Sequence, residues 1–182
     1  MDGDYVIRQV RVDEWLAAKE LRLAALRDPV APIAFLETYE RAQGQPDTFW
    51  KDRTARGAAG SPHGCQFVAE APTGDLAGTV TVLVEEPGTE DFTGERVEQR
   101  QAHLVAVFVR KEHRGGVVAQ ALLDAAVNWS VARPGVSRLR LLVHEDNGRA
   151  AAFYRKAGFE HTRRVGDHDE MEYRPAVAVS AS

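Results

Sequence analysis

The 182-residue sequence has one cysteine and two methionines, and it lacks both a long apolar run and an excess of basic charge. With Cys65 as the only thiol, an internal disulfide is excluded and so is a cysteine-rich zinc site. Apolar stretches are interrupted by Arg, Asp or Glu well short of the ~18 residues that a transmembrane helix requires. No charged-then-apolar leader opens the chain, so a cytoplasmic protein with no membrane partner is expected. The 23 Lys and Arg are outnumbered by 27 Asp and Glu, leaving a formal charge of -4. A protein whose affinity comes from neutralising nucleic-acid phosphates is thereby excluded, and any phosphate must be held locally. His63 with Cys65, and His161 with His168, have no further ligands at credible spacing, so no metal is expected.

What is there is ordinary globular composition, 44% hydrophobic and 27% charged, at a length that fits one domain over residues 1–182. Such a chain buries about 70% of the surface its unfolded form exposes and needs no staple. A small-residue tail over 176–182 is expected to be disordered, and the first four residues to fray. Tyr5 to Val10 is short and apolar enough for a strand. A helix follows from Asp13 to about Arg27, with Trp15, Leu16, Leu23 and Leu26 as its buried stripe, and Asp28-Pro29 stops it. The segment up to Pro46 holds a short helix, and another covers Asp47 to Ala55. Gln66 to Glu70 and Leu76 to Val84 form a hairpin around Pro72-Thr73-Gly74-Asp75. Glu85 to Arg100 is acidic and glycine-bearing, a mobile loop whose Glu85, Glu86, Glu90 and Asp91 are expected in solvent.

His103 to Val109 is apolar on both faces, the pattern of a central strand, with His103, Val105, Val107 and Val109 on one face and Leu104, Ala106 and Phe108 on the other. A bulge in it would reorient the face beyond His103. After Arg114-Gly115-Gly116 comes a helix from Val118 to Val131, then a strand from Arg138 to His144. Asn147 caps a helix that Gly158 ends, and two closing strands complete the chain. The order is strand, two helices, three strands, helix, strand, helix, two strands, a mixed α/β class. A basic Gly-Gly turn before a helix is either a plain tight turn or a place where unpaired amides at the positive end of the helix dipole receive a phosphate. Tyr154 is compatible with a ring packed in the core, Asn147 with a plain N-cap and Gly158 with a plain C-cap.

The stretch from Val109 to Gln120 resembles motif A of the Gcn5-related N-acetyltransferases (GNAT), [QR]xxGx[GA] after a hydrophobic lead: Val109 is the lead, Arg114 the Gln/Arg and Ala119 the final Gly/Ala, with Val117 where the family has glycine. Downstream, Asn147, Ala150, Tyr154, Gly158 and Phe159 match the family's NxxAxxxYxxxGF. The resemblance implies a three-layer fold with a mixed, mostly antiparallel sheet splayed between its fourth and fifth strands. It implies acetyl-CoA as co-substrate, lying on Phe108, Val109, Arg114, Gly115, Gly116, Val117, Val118, Ala119, Gln120, Asn147, Ala150 and Phe153. A side chain at 117 must then point away from the ligand or be accommodated by a backbone of negative φ. Tyr154 becomes the acid that protonates the departing thiolate. His103, eleven residues before Arg114, becomes the base, its alternative being a strand-end histidine at the sheet surface. Ile33, Phe35, Tyr39 and Glu85 are placed at the acceptor pocket, where the acidic loop would attract a cationic amine.

The function implied is direct acetyl transfer to a primary amine, small molecule or peptide, in a ternary complex, by a monomer or homodimer. Its rivals are a CoA-binding regulatory or sensor domain without turnover and a partner-binding module on the same fold.

Overall fold

The computed structural model describes residues 4–174, so the tail expected over 176–182 lies outside the described residues. Seven strands form one sheet in the order β1-β2-β3-β4-β5-β7-β6. They are β1 (Val6–Gln9), β2 (Gly64–Glu70), β3 (Leu76–Glu85), β4 (Gln101–Val109), β5 (Leu139–His144), β6 (Phe159–Val165) and β7 (His168–Tyr173). Only β4 and β5 run parallel, because the helix α5 (Val118–Val131) crosses between them, whereas the other neighbours are antiparallel. The sheet is the mixed, mostly antiparallel one that the resemblance implies. Between β1 and β2 stand four helical segments rather than two: α1 (Trp15–Leu26), α2 (Ala31–Ala34), α3 (Tyr39–Gln43) and α4 (Asp47–Gly57). Pro29, Pro32 and Pro46 divide the middle of this region into short turns. The last helix, α6, spans Gly148–Lys156.

The core has two sides. Under α5, Val118, Leu122, Leu123 and Ala126 meet Val80, Val82, Ala102 and Leu104 of the sheet, and Ala151 and Tyr154 of α6 join the same cluster. On the opposite face Ala18, Leu21 and Ala25 of α1 cover Val68, Leu76 and Phe108. The stripe expected on α1 shifts accordingly: Leu16 is 52% exposed, while Ala18, Leu21, Ala25 and Leu26 are buried. Trp50, with Leu26 and Ala42, closes a third cluster among the helices. Among the described residues no helix is long and apolar enough to cross a membrane.

The acidic segment after β3 is only partly in solvent: Glu86 and Glu90 are exposed as expected, but Glu85 and the Asp91 side chain are not. Glu85 and Asp91 are buried because both pair with the guanidinium of Arg140, at 3.3 and 2.6 Å, and Glu170 of β7 pairs with it at 2.7 Å. Asp91 also accepts from Thr93 and from the Glu95 amide, and Glu85 accepts from the Phe92 amide at 2.6 Å. Burial pushes the Asp91 carboxyl up, but these hydrogen bonds and the Arg140 charge outweigh it and bring its pKa down to about 2. One buried cation therefore ties the end of β3, the following loop and β7 to β5. Arg140→Met should cost about 3–5 kcal/mol, because three buried carboxylates lose their shared partner. Urea unfolding of wild type and variant measures this, and a loss below about 1 kcal/mol would show that the cluster does not hold the loop.

Candidate active site

The parallel ladder between β4 and β5 has three rungs, Ala102–Leu139, His103–Arg140 and Leu104–Leu141, and the strands separate beyond it. The cause lies in β4. Ala106 adopts a left-handed φ of +57°, and the register to β3 skips a residue, with Thr81 opposite Val105 but Thr79 opposite Phe108. The extra residue reverses the alternation of faces. Val107 and Val109 join Ala102 and Leu104 under α5, and Phe108 turns to α1. The single face expected for His103, Val107 and Val109 is thus broken by the bulge. Past Leu104 the β4 backbone on the side of β5 has no strand to pair with among the described residues.

Into this fork opens a cavity of about 1880 Å³. At one end it is lined by Phe108, Val109, Arg114, Gly115, Gly116 and Ala119. Gly115 takes a φ of +82°, which turns the chain into α5, and a Cβ at 115 or 116 would meet nothing within 4 Å. Among the described residues the N–H groups of Gly115, Gly116, Val117 and Val118 find no acceptor, and they stand at the positive end of a 14-residue helix. Val117 has a φ of -84° and its side chain is 53% exposed. A valine therefore replaces the usual glycine without strain and keeps its amide. The side chains of Val117, Val118 and Gln120 do not line the cavity: Val118 is buried in the core, and Gln120 donates to Asp124 along the helix at 2.8 Å. The Arg114 guanidinium donates to the Val109 carbonyl at 2.8 Å and pairs with Asp28 after α1, so it braces the loop.

The far wall comes from α6. Asn147 accepts from the Ala150 amide at 3.3 Å, a true N-cap, and Gly158 at φ +100° follows the helix. This brings Asn147, Ala150, Phe153 and Tyr154 to the cavity. The Tyr154 ring is buried against Phe153 and Phe159, and its hydroxyl makes no hydrogen bond to the described residues. Burial raises the phenol's pKa, so it is protonated at neutral pH.

At the other end the cavity reaches His103, Glu85, Ile33 and Phe35. Tyr39 does not line it. Its ring lies under the Arg27 guanidinium at 4.4 Å and packs among the helices. His103 is 1% exposed, its ring centred 4.8 Å from the Phe92 ring and tilted 44° to it, with Nδ1 unpartnered and 4.0 Å from a Glu85 oxygen. Burial, then the Arg140 charge, brings its pKa down to about 3, so the imidazole is neutral throughout the physiological range. Three residues that the sequence did not single out also meet here: Arg22 of α1 and Arg53 of α4 both donate to Glu37, at 3.0 and 3.4 Å. They come from two helices and the connection between α2 and α3, so no local spacing marks them.

The sequence pattern of the acetyltransferase (GNAT) family matches residues 20–159, and the chain belongs to that family. Solved structures share the fold. The PaiA N-acetyltransferase of Thermoplasma acidophilum, in complex with coenzyme A, has a TM-score of 0.73 at 18% identity, over 94% of this chain and 99% of that one. NAA60 of Arabidopsis thaliana, in complex with acetyl-CoA, has a TM-score of 0.65 at 17% identity, over 93% and 97%. A spermidine N-acetyltransferase SpeG chimera from Vibrio cholerae and hSSAT has a TM-score of 0.62 at 14% identity, over 93% and 94%. No curated protein matches the sequence.

The buried neutral imidazole has a direct signature. The His103 ring resonances should hold their neutral positions from pH 8 to pH 5 in an NMR titration. A midpoint near the ordinary value of about 6.5 would place the ring in solvent instead.

Proposed function

We propose that the protein transfers an acetyl group from acetyl-CoA directly to a primary amine, with both bound together. One observation carries this reading: a single continuous cavity joins Gly115 and Gly116, in the loop of unpaired amides before α5, to Tyr154 and His103. The residues present fit the co-substrate. The four free amides and the helix dipole receive a pyrophosphate, and the open space at Gly115 and Gly116 lets it approach the backbone. The unpaired edge of β4 offers N–H and C=O groups to an extended, amide-containing arm. Acetyl-CoA supplies the acetyl group activated as a thioester.

Tyr154 then acts as an acid. Its phenol, kept protonated by burial, gives its proton to the departing sulfur. An amine attacks only when neutral, and a base works best with a pKa near the working pH. His103 lies far below that, so it orients the amine or a water through a hydrogen bond, and the proton leaves through water in the cavity.

Two measurements test this. Acetyl-CoA should raise the melting temperature, since a ligand at 100 times its Kd stabilises the native state by about 2.7 kcal/mol. Val117→Pro should remove the shift and Val117→Gly retain it, because the 117 amide has no internal acceptor and its loss leaves the fold intact. Undiminished binding by the proline variant would move the phosphate site elsewhere. Tyr154→Phe should lower kcat by about 10²-fold with CoA affinity unchanged, and full turnover would return Tyr154 to a packing role. Binding without turnover of any amine by the wild type would identify a CoA-responsive sensor.

A further inference from the structure

The acceptor arm of the cavity is basic in an unbalanced way. Arg22 donates through Nε to one oxygen of Glu37, with Nη2 2.9 Å from that oxygen, and Arg53 donates through Nη1 to the same oxygen. Two guanidiniums thus share a single carboxylate oxygen and leave one net positive charge with most of its donors free. Burial, and then the neighbouring Arg53, lower the pKa of Arg22 against the pull of Glu37, in keeping with a charge only partly compensated. The Arg22 guanidinium lies over the Phe35 ring at 4.7 Å, which fixes its plane.

The position of this pair is informative as well. Arg22, Arg53, Thr81 and Ala106 together line a small void of about 20 Å³, which sets both guanidiniums beside the bulge where β4 leaves β5. Arg41 and Arg56 line the same arm and form no ion pair among the described residues. Of the carboxylates facing the cavity, Glu85 is committed to Arg140 and Asp28 to Arg114, which leaves Glu37 and the exposed Asp52. Glu85 and Asp91, expected on an acidic rim, are consumed inside the fold by Arg140, and the guanidiniums lining the arm outnumber its free carboxylates.

We propose that the acceptor is a primary amine that also carries a carboxylate, held by Arg22 and Arg53 beside the β4 bulge. The proposal rests on the acetyltransferase reading above. A planar guanidinium pair matches a carboxylate with parallel, charge-assisted hydrogen bonds. Held there, the carboxylate places an amine a few bonds away at the fork, where the unpaired edge of β4 begins.

The test uses matched pairs: each of the common free amino acids against the amine that remains when its α-carboxyl group is removed. Initial rates with acetyl-CoA are compared within each pair, and CoA binding is followed by calorimetry. In at least one pair the carboxylate-bearing member should have a kcat/KM about 10-fold or more higher, the scale of one charge-assisted hydrogen bond. Arg53→Gln should bring that ratio close to parity through KM, and Glu37→Gln, which removes the competing carboxylate, should widen it. Opposite shifts from two neighbours on one contact are not the signature of general damage to the fold. CoA binding accompanied by parity, by preference for the decarboxylated amines, or by no turnover of either set overturns the proposal alone. Absence of CoA binding overturns the acetyltransferase reading and this proposal with it.

Discussion

The two halves of the sheet, β1 to β4 on one side and β5, β7 and β6 on the other, are joined by three parallel rungs at residues 102–104. At the centre of that joint His103 lies opposite Arg140, and the Arg140 side chain reaches carboxylates on both sides of it, Glu85 and Asp91 before the fork and Glu170 beyond. A purely apolar joint of the same volume would serve stability as well. The ion cluster adds fixed directions at the last paired rungs, and the β4 bulge at Ala106, two residues on, parts the strands. The free backbone edge of β4 and the cavity mouth at α5 follow from that point.

The same cation shapes the chemistry around it. An imidazole desolvated by burial and set beside a fully buried guanidinium gains nothing by binding a proton, so His103 is withheld from titration although the resemblance places a base at its position. Tyr154 is buried as well, and for a phenol burial acts in the opposite direction and keeps the hydroxyl protonated. The two ends of the cavity thus follow one rule, desolvation favouring the neutral form, with opposite results for a base and an acid.

Much of this was legible in the order of the residues. Motif spacing from Val109 to Ala119 and from Asn147 to Phe159 located the loop, the capped helix and Tyr154, because each is a local pattern in which a few positions must satisfy one turn or one helix end. The hairpin at Pro72–Asp75 and the central place of β4 were readable for the same reason. The fate of Glu85 and Asp91 was not. A carboxylate in a polar stretch looks solvated until its partner is known, and Arg140 lies 49 residues from Asp91 in the chain. Leu16 was misplaced for a related reason, since apolar spacing marks a face but does not say whether a neighbouring helix covers it, and Tyr39, which the resemblance placed at the acceptor pocket, packs among the helices under Arg27. The bulge carries no composition signal at all, because an alanine at positive φ is held there by its surroundings rather than by its own preference.

The walls of the cavity have a genealogy in the chain. Arg22, Glu37 and Arg53 come from the segment before β2, whereas the free amides, Tyr154 and the capped α6 come from after β4. The two stretches are joined by few side-chain links, the Arg114–Asp28 ion pair and the Tyr5–His113 hydrogen bond among them. On the reading proposed above, changes in acceptor preference fall within one contiguous block of sequence, separate from the residues that hold and discharge the donor.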